Sequence, residues 1–232
     1  MKRLILSTLL PILLFLLPAC SDGNYVVYSG MEAGTMDAGV FTSDENTKLN
    51  VVGNEGNYDV RTSRRVLISY ETHQITDPNQ IDIDLKGLLD AAIVLPDAVE
   101  TLPEDPDGSA IQVTDAWFGG GYLNILISFP GTDASKHAIT STFNTGEDGV
   151  TLRLHHDAST DTATGNKAIS AFLSVPVYDL QQSYEAYARS IGQQKAIYPM
   201  PVILQWSAHA MEGGPLAVYE RKGSYSPPVS NI

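Results

Sequence analysis

The chain contains a single cysteine, Cys20, and this one residue limits the folds that are available to it. Small secreted domains that depend on disulfide bonds need an even set of cysteines. A core in this chain must therefore be held by the packing of apolar side chains alone. Hydrophobic residues make up 43% of the sequence and charged residues 18%, which is enough apolar material for a core and too little charge for a disordered chain.

An export signal precedes this cysteine. Lys2 and Arg3 form a short positive segment, and residues 4–17 are almost wholly apolar. That run is shorter than the roughly 20 residues of a membrane-spanning helix, but it has the length of the apolar region of a signal peptide. The sequence therefore predicts a signal peptide at residues 1–19.

Residues 17–20, Leu-Pro-Ala-Cys, resemble a bacterial lipobox, with an aliphatic residue three positions before the cysteine and a small residue directly before it. Cys20 is accordingly predicted to be the lipidated first residue of the mature chain. An ordinary secretory signal followed by a free thiol is the alternative. Two or three acyl chains make a stable membrane anchor. Ser21 in the next position favours the outer membrane, facing either the periplasm or the cell surface.

The charge of the chain argues against one class of partner. The formal net charge is −13, and loss of Lys2 and Arg3 with the signal peptide makes it −15. Binding to phosphate backbones depends on Lys and Arg releasing counterions. We therefore expect no nucleic acid partner. We expect the protein to contact the membrane through its N-terminal lipid.

The first half of the mature chain has the pattern of strands. Residues 20–36 are rich in small and polar residues and predict a lipidated tether, with folded structure from residue 37. Alternating apolar residues predict strands at 64–72 and 81–85. Residues 85–95 are evenly apolar and fit either a strand or a short helix.

A connection rich in proline divides the chain. Residues 102–108 hold two prolines, three acidic residues and a glycine, a composition typical of turns and connections. We place the boundary there, with one domain at 37–101 and a second at 109–222.

The second half is also strand-rich. Apolar runs at 111–118 and 122–129 around three glycines predict a hairpin. Residues 150–155 and 168–177 predict a further strand pair around a polar loop. Strand character returns at the end of the chain, at 201–209 and 216–221.

One segment differs in kind. Apolar residues at 178–191 recur at helical spacing, with Asp179 as a candidate cap and Gly192 as a candidate end. The sequence therefore predicts an all-β protein with one short helix in the C-terminal half.

Three blocks of sequence carry a resemblance to a known family. They are Arg-Arg-Val-Leu-Ile-Ser-Tyr at 64–70, Asp-Ala-Trp-Phe at 115–118 and Gly-Gly-Tyr-Leu-Asn-Ile at 120–125. Together they resemble the NigD-like lipoproteins of Gram-negative anaerobes, over about residues 39–219. The resemblance implies an N-terminal OB-like barrel followed by a C-terminal β-sandwich. It also implies a structural role for the motif residues Arg65, Tyr70, Trp117, Tyr122 and Asn124.

Two aromatic residues of these blocks are candidates for a binding surface. Trp117 and Tyr122 flank the glycine turn and are able to form a platform for a sugar or a peptide. Large aromatic side chains at strand ends more often pack into the core. Packing at the corner of the sandwich is therefore the preferred interpretation.

The histidines do not predict a metal site. His155, His156 and Asp157 are of metal-ligand type, with His137 and His209 elsewhere in the chain. Adjacent residues on a strand point to opposite faces, so His155 and His156 cannot both reach one ion without a bend. A structural or solvent-facing role is expected.

The acidic middle of the chain does not have the pattern of a calcium loop. Asp82 and Asp84 share one strand face, and Asp77, Asp90 and the acids at 104–107 lie nearby. The ordered ligand spacing and the central glycine of a calcium loop are missing. We expect a solvated acidic face and no bound metal or cofactor.

No catalytic signature is found in the sequence. It lacks a Gly-x-Ser-x-Gly elbow, a His-Glu-x-x-His motif and a phosphate-binding loop. We therefore expect a non-enzymatic, lipid-anchored envelope protein that binds an envelope protein, a peptide or a glycan. The family is named after a bacteriocin gene cluster, which adds the narrower hypothesis of a bacteriocin-associated role. The alternative is a surface hydrolase acting on glycans or peptides, with two carboxylates on separate strands.

Overall fold

The computed structural model describes residues 28–73, 81–104, 108–161, 167–211 and 214–228. The predicted signal peptide and Cys20 lie outside these residues. The first half holds strands β1 (Ser29–Asp37), β2 (Val40–Ser43), β3 (Lys48–Asn54), β4 (Arg64–Thr72) and β5 (Ile81–Ile93). The second half holds β6 (Pro96–Ala98), β7 (Gln112–Gly119), β8 (Tyr122–Gly131), β9 (Ala138–Gly146), β10 (Gly149–Asp157), β11 (Lys167–Pro176), α1 (Tyr178–Ser190), β12 (Met200–His209) and β13 (Leu216–Tyr225).

The five strands of the first half pair in a closed cycle. Strand β1 pairs with β2, β2 with β3, β3 with β5, β5 with β4, and β4 with β1. Only the pairing of β3 with β5 is parallel. The cycle encloses an apolar core that includes Met36, Phe41, Ile68, Ile83 and Leu85. These pairings support the OB-like barrel, which stays a prediction.

Strand β5 connects this cycle to the second half. Its last residues, 91–93, pair in parallel with residues 172–174 of β11, and the sheet continues through β8 to β7. A second sheet has the order β13-β12-β10-β9-β6. The largest apolar core lies between the two sheets, with residues from β8 and β11 on one side and from β10 and β12 on the other. The second half is thus a β-sandwich.

The strand content confirms the all-β class, and the hairpin, the helix and the last two strands are confirmed as well. Strands β7 and β8 pair antiparallel around residues 119–121. Helix α1 is followed by Gly192, which has a φ of +83° and whose N–H donates to the carbonyl of Arg189. Residues 85–93, left open between strand and helix, belong to β5. No helix among the described residues is long and apolar enough to cross a membrane.

The predicted tether needs a correction, because residues 29–36 belong to β1. Ala33 and Met36 are buried, and the strand pairs with both β2 and β4. The small residues that indicated a tether allow close packing instead: a Cβ at Gly34 would lie 2.2 Å from the carbonyl oxygen of Thr42. Folded structure therefore begins ahead of residue 37.

The transition between the two halves also falls earlier than the proline-rich connection. Strand β6 lies inside the segment 37–101 but pairs with β9 of the second sheet. The halves therefore meet at the end of β5. Pro103, near the start of the connection, is held against the sandwich, because the buried Arg153 donates to its carbonyl oxygen.

Two local predictions for the second half are wrong. The strands at 150–155 and 168–177 do not pair with each other: β10 pairs with β9 and β12, whereas β11 pairs with β8 and β5. These two strands therefore belong to different sheets. Asp179 does not cap α1, since Val177 is the N-cap and makes no side-chain capping bond. Asp179 lies instead in the first helical turn, where its charge favours the helix dipole.

Candidate functional site

A groove opens between the two sheets of the sandwich, next to the edge strands β7 and β13. Its volume is about 630 Å³. Ile111, Val113 and Phe129 line one side, and Trp206 and Tyr219 line the other. Ile111 and Phe129 are buried, whereas Val113, Trp206 and Tyr219 are partly exposed. Exposed apolar surface of this kind marks binding sites.

Two of the aromatic residues that line the groove form a stacked pair. Trp206 on β12 and Tyr219 on β13 are directly opposite each other in the sheet. Their ring centroids lie 6.2 Å apart with an angle of 21° between the planes. Tyr219 is 37% exposed. Tyr and Trp supply large contact area with few rotatable bonds, so this pair is suited to hold an apolar group.

The groove offers little for acid–base chemistry. Among the described residues that line it, no Asp, Glu, Cys, Lys or Arg is present. Of the described lining residues only His209 is a histidine, and its Nδ1 donates to the carbonyl oxygen of Gly214 at 2.6 Å. Glycoside hydrolysis requires a pair of carboxylates about 5–10 Å apart. None of the described lining residues supplies such a carboxylate.

The motif residue Arg65 lies on β4 and joins the two halves. Its Nη1 and Nη2 donate to the two carboxylate oxygens of Asp44 at 2.8 and 2.7 Å. Nη2 also donates to Oδ1 of Asn124 at 2.8 Å, and Nε donates to Oγ of Ser174 at 2.9 Å. Two residues of the first half thereby bind β8 and β11 of the second. We call these four residues the Arg65 network.

The network is buried and closes on itself. The side chains of Arg65 and Asp44 are 9% and 11% exposed. Nδ2 of Asn124 donates to Asp44 at 3.0 Å, and the Ser174 hydroxyl donates to Asn124 at 3.0 Å. The guanidinium lies 4.1 Å from the centroid of the Tyr122 ring, a cation–π distance. The structure thus brings together three of the five motif residues, Arg65, Tyr122 and Asn124.

The other two motif residues, Tyr70 and Trp117, lie elsewhere. The hydroxyl of Tyr70 donates a hydrogen bond to Glu32. Burial is the largest cause of the raised pKa of Tyr70, and the Glu32 carboxylate is the second cause. Trp117 stacks on Phe172 at 6.0 Å, within a small apolar cluster between the two halves. Trp117 and Tyr122 therefore contact different partners, and this arrangement supports the packing interpretation over a shared platform.

A pair of histidines lies behind the groove. His156 on β10 is 3% exposed, and its Nε2 lies 2.9 Å from Nδ1 of His137. Nε2 of His137 lies 3.0 Å from the carboxylate of Asp161. His155 points the other way, to the hydroxyl of Thr142 at 2.7 Å. The expected opposite orientation of the adjacent histidines is confirmed. We call His137 and His156 the histidine pair.

The acidic residues of β5 have partners on neighbouring segments. Their partners are Asn50 for Asp82, His73 for Asp84 and Arg64 for Asp90. The hydrogen bond from His73 lowers the pKa of Asp84. Asp77 and the acids at 105–107 lie outside the described residues. Within the part of the chain that the structure describes, no group of three or more His, Cys, Asp or Glu side chains is arranged to hold a metal.

Several residues of these sites have no signal in the sequence that singles them out. Trp206 and Tyr219 lie in ordinary alternating strands, and nothing local distinguishes an open groove from a filled core. Asp44 and Ser174 are 21 and 109 residues from Arg65. The one available signal was Arg65 itself, because an arginine within a buried strand needs an acidic partner.

Comparison with known proteins finds a family model that matches part of the second half. Residues 99–190 match the NigD-like C-terminal beta sandwich domain, which confirms the NigD-like resemblance. A comparison with curated protein sequences finds no match.

Solved structures share the fold over most of the chain. A NigD-like immunity protein from Bacteroides caccae has 19% identity and a TM-score of 0.58, covering 87% of this chain and 98% of that one. A protein of unknown function, DUF1344, from Bacteroides vulgatus has 15% identity and a TM-score of 0.56, covering 89% and 94%. A predicted lipoprotein from Bacteroides fragilis has 12% identity and a TM-score of 0.53, covering 84% and 96%. At these identities the likeness shows a shared fold.

Proposed function

We propose that this chain, which matches the NigD-like C-terminal β-sandwich domain, is a non-enzymatic, lipid-anchored binding protein of the bacterial cell envelope. Its ligand is an apolar segment of an envelope peptide or protein, held in the groove between the sheets. The observation that carries this proposal is the stacked pair of Trp206 and Tyr219 beside other apolar lining residues. We call the apolar lining residues Ala110, Ile111, Val113 and Phe129 the groove floor.

A peptide fits the groove better than a glycan. Sugar sites combine an aromatic platform with several hydrogen-bonding side chains, whereas most lining residues here are aliphatic or aromatic. The groove also lies beside β7 and β13, which are the outer strands of their sheets. Outer strands have backbone donors and acceptors that an extended peptide is able to pair with.

The hydrolase alternative has less support. None of the described lining residues is a carboxylate, and the acids of β5 are paired on another part of the molecule. One solved relative is named an immunity protein. That name and the NigD-like domain support a narrower proposal, in which the bound peptide is a secreted antibacterial peptide or a protein that acts with it.

The groove proposal is tested by recovering partners from solubilised envelope. Replacement of Tyr219 by alanine removes one face of the aromatic pair, so we expect at least tenfold less partner to co-purify, as for other aromatic residues at the centre of an interface. Tyr178→Ala is the matched control, because Tyr178 is 64% exposed on α1 and does not line the groove. Equal recovery with both variants, measured by mass spectrometry, would contradict the proposal.

The anchor is tested separately. Cells grown with labelled palmitate should incorporate the label into the wild-type protein, and Cys20→Ala should abolish the label and release the protein from the membrane fraction. A labelled Cys20→Ala variant, or an unlabelled wild type that still sediments with membranes, would rule out lipidation at this residue. In the outer membrane proposal, the labelled protein fractionates with outer membrane markers.

A further inference from the structure

The histidine pair and its neighbours form a chain of hydrogen bonds with an acceptor at each end. Nδ1 of His156 lies 3.2 Å from the carbonyl oxygen of Ala110. At the other end, Nε2 of His137 lies 3.0 Å from a carboxylate oxygen of Asp161. Carbonyl and carboxylate oxygens only accept, so both of these ring nitrogens must carry a hydrogen. The two rings meet at 2.9 Å, where one hydrogen lies between two nitrogens.

These contacts fix the number of protons. One hydrogen at each end and one between the rings make three, whereas two neutral imidazoles carry two. We propose that the histidine pair holds three ring protons and one positive charge at neutral pH, and that uptake of a fourth proton disrupts the support of the groove floor.

The surroundings balance the single charge. The Asp161 side chain is 3% exposed and that of His137 is 1% exposed, so the carboxylate faces the pair with little intervening water. Asp161 also accepts from the backbone N–H of Thr132 at 2.6 Å and from the hydroxyl of the same residue. These bonds lower the pKa of Asp161, which keeps it ionised. A buried charge is tolerated when it is paired and hydrogen-bonded in this way.

Other charged groups face the pair from the segments packed around it. Nζ of Lys136 lies 3.6 Å from Asp161. Asp157 is next to His156 and raises the pKa of His156, while Asp161 raises the pKa of Asp133. Within the described residues, neither aspartate is hydrogen-bonded to the histidine rings. Each accepts from the backbone N–H of the serine two positions further along the chain. The pair therefore depends chiefly on Asp161.

A fourth proton cannot be accommodated in this geometry. It would place two N–H groups against each other across the 2.9 Å contact between the rings. Burial lowers the pKa of His156, and the neighbouring His137 lowers it further, while the bond to Ala110 raises it. A histidine in the unfolded chain takes up its proton near pH 6.5. Two unfolded histidines together hold three ring protons at about pH 6.5 and approach four below it, whereas the folded pair stays at three, so stability decreases as the pH falls below about 6.5.

The pair is coupled to the groove through Phe129 and Ala110. The Phe129 ring lies 4.5 Å from the His137 ring and 4.8 Å from the His156 ring, centroid to centroid. Both Phe129 and Ala110 line the groove. Separation of the histidines therefore displaces the groove floor. This step rests on the proposed binding function, whereas the proton count does not.

The proton count is tested by NMR of the full mature chain with ¹⁵N-labelled histidine at pH 7.5. We expect three protonated nitrogens and one unprotonated nitrogen for the pair, assigned with the variants His137→Gln and His156→Gln. Asp161→Asn removes the balancing carboxylate and should reduce the count to two. A count of two in the wild type would overturn the proposal, whatever the groove binds.

Thermal unfolding between pH 6.5 and 5 tests the effect of acid. We expect the acid-induced decrease in Tm to become about 2–4 °C smaller in His156→Gln, since glutamine donates and accepts but does not titrate. His155→Gln is the matched control, on the same strand and facing away, and should keep the wild-type decrease. An equal decrease in both variants would overturn the role of the pair in acid.

Fluorescence of Trp206 in a Trp117→Phe background tests the coupling to the groove. Its emission should shift over the same pH range, and the shift should vanish in His156→Gln. A three-proton pair without any fluorescence shift would overturn the coupling alone and leave the proposed binding function standing. Unchanged peptide binding in the groove variants, with the shift intact, would overturn the proposed binding function and leave the coupling standing.

Discussion

Replacement of Arg65 by alanine is expected to lower the free energy of unfolding by about 3–5 kcal/mol, as when one partner of a buried ion pair is removed. The Asp44 carboxylate, 11% exposed, would keep the bond from Nδ2 of Asn124 but lose its cation. Since the network joins the two halves, the loss should also weaken their connection. Urea unfolding monitored by far-UV circular dichroism measures the change.

The neighbouring arginine is a matched control for this variant. Arg64 is on the same strand but pairs at the surface with Asp90, whose side chain is 67% exposed. Exposed ion pairs contribute roughly 0–1 kcal/mol, so Arg64→Ala should change stability little. In the double variant of Arg65 and Asp44, the second substitution should cost much less than it does alone. Equal effects of the two arginine variants would contradict the role of the network.

The second large effect is expected at the glycine turn between β7 and β8. Gly120 and Gly121 have φ angles of +57° and +81°, a region in which a side chain costs about 1–2 kcal/mol. A Cβ at Gly120 would also lie 2.2 Å from Oδ1 of Asp44 and 3.3 Å from Nη1 of Arg65. At Gly121 no atom lies within 4 Å of the added Cβ.

Gly120→Ala should therefore destabilise the protein by about 3 kcal/mol, because it adds displacement of the ion pair to backbone strain. Gly121→Ala should cost about 1 kcal/mol, from strain alone. Both values come from the same urea titrations. If the two variants are equally stable, the close approach of the turn to Asp44 does not contribute. The excess cost at Gly120 should disappear when Arg65 is already alanine.

The pattern of side chains was sufficient to predict strands but not their partners. Alternation identified β7, β8, β12 and β13, and three glycines identified a turn. The same alternation suggested that β10 pairs with β11, although they lie in opposite sheets. A two-residue period records only which side of a strand is apolar. Pairing depends on contacts between distant residues, which leave no local pattern.

Composition was misleading at β1 for a related reason. Glycine and small polar residues are typical of flexible tethers, but Gly30 and Gly34 are required by close contacts. A Cβ at Gly30 would lie 2.6 Å from the Tyr70 ring. The sequence shows that a side chain is missing, but it does not show which neighbour occupies the space. Only the tertiary structure distinguishes these two uses of glycine.

The candidate sites differ in how far the sequence indicated them. The family blocks contained Arg65, Tyr122 and Asn124, and the structure adds Asp44 and Ser174 as their partners. The groove was not predicted, because Trp206 and Tyr219 stay accessible only where the two sheets leave a space between them. That spacing is a property of the packed sandwich.

Photo-crosslinking in intact cells tests the binding groove most directly. A photoreactive phenylalanine derivative replaces Tyr219 in the groove or, as a control, the exposed Tyr178 on α1. We predict a discrete crosslinked peptide or protein from position 219 that is absent from position 178 and that is lost when Trp206 is replaced by alanine in a protein that still folds. The same products from both positions, or a product from position 219 that survives the loss of Trp206, would contradict a binding site between the sheets.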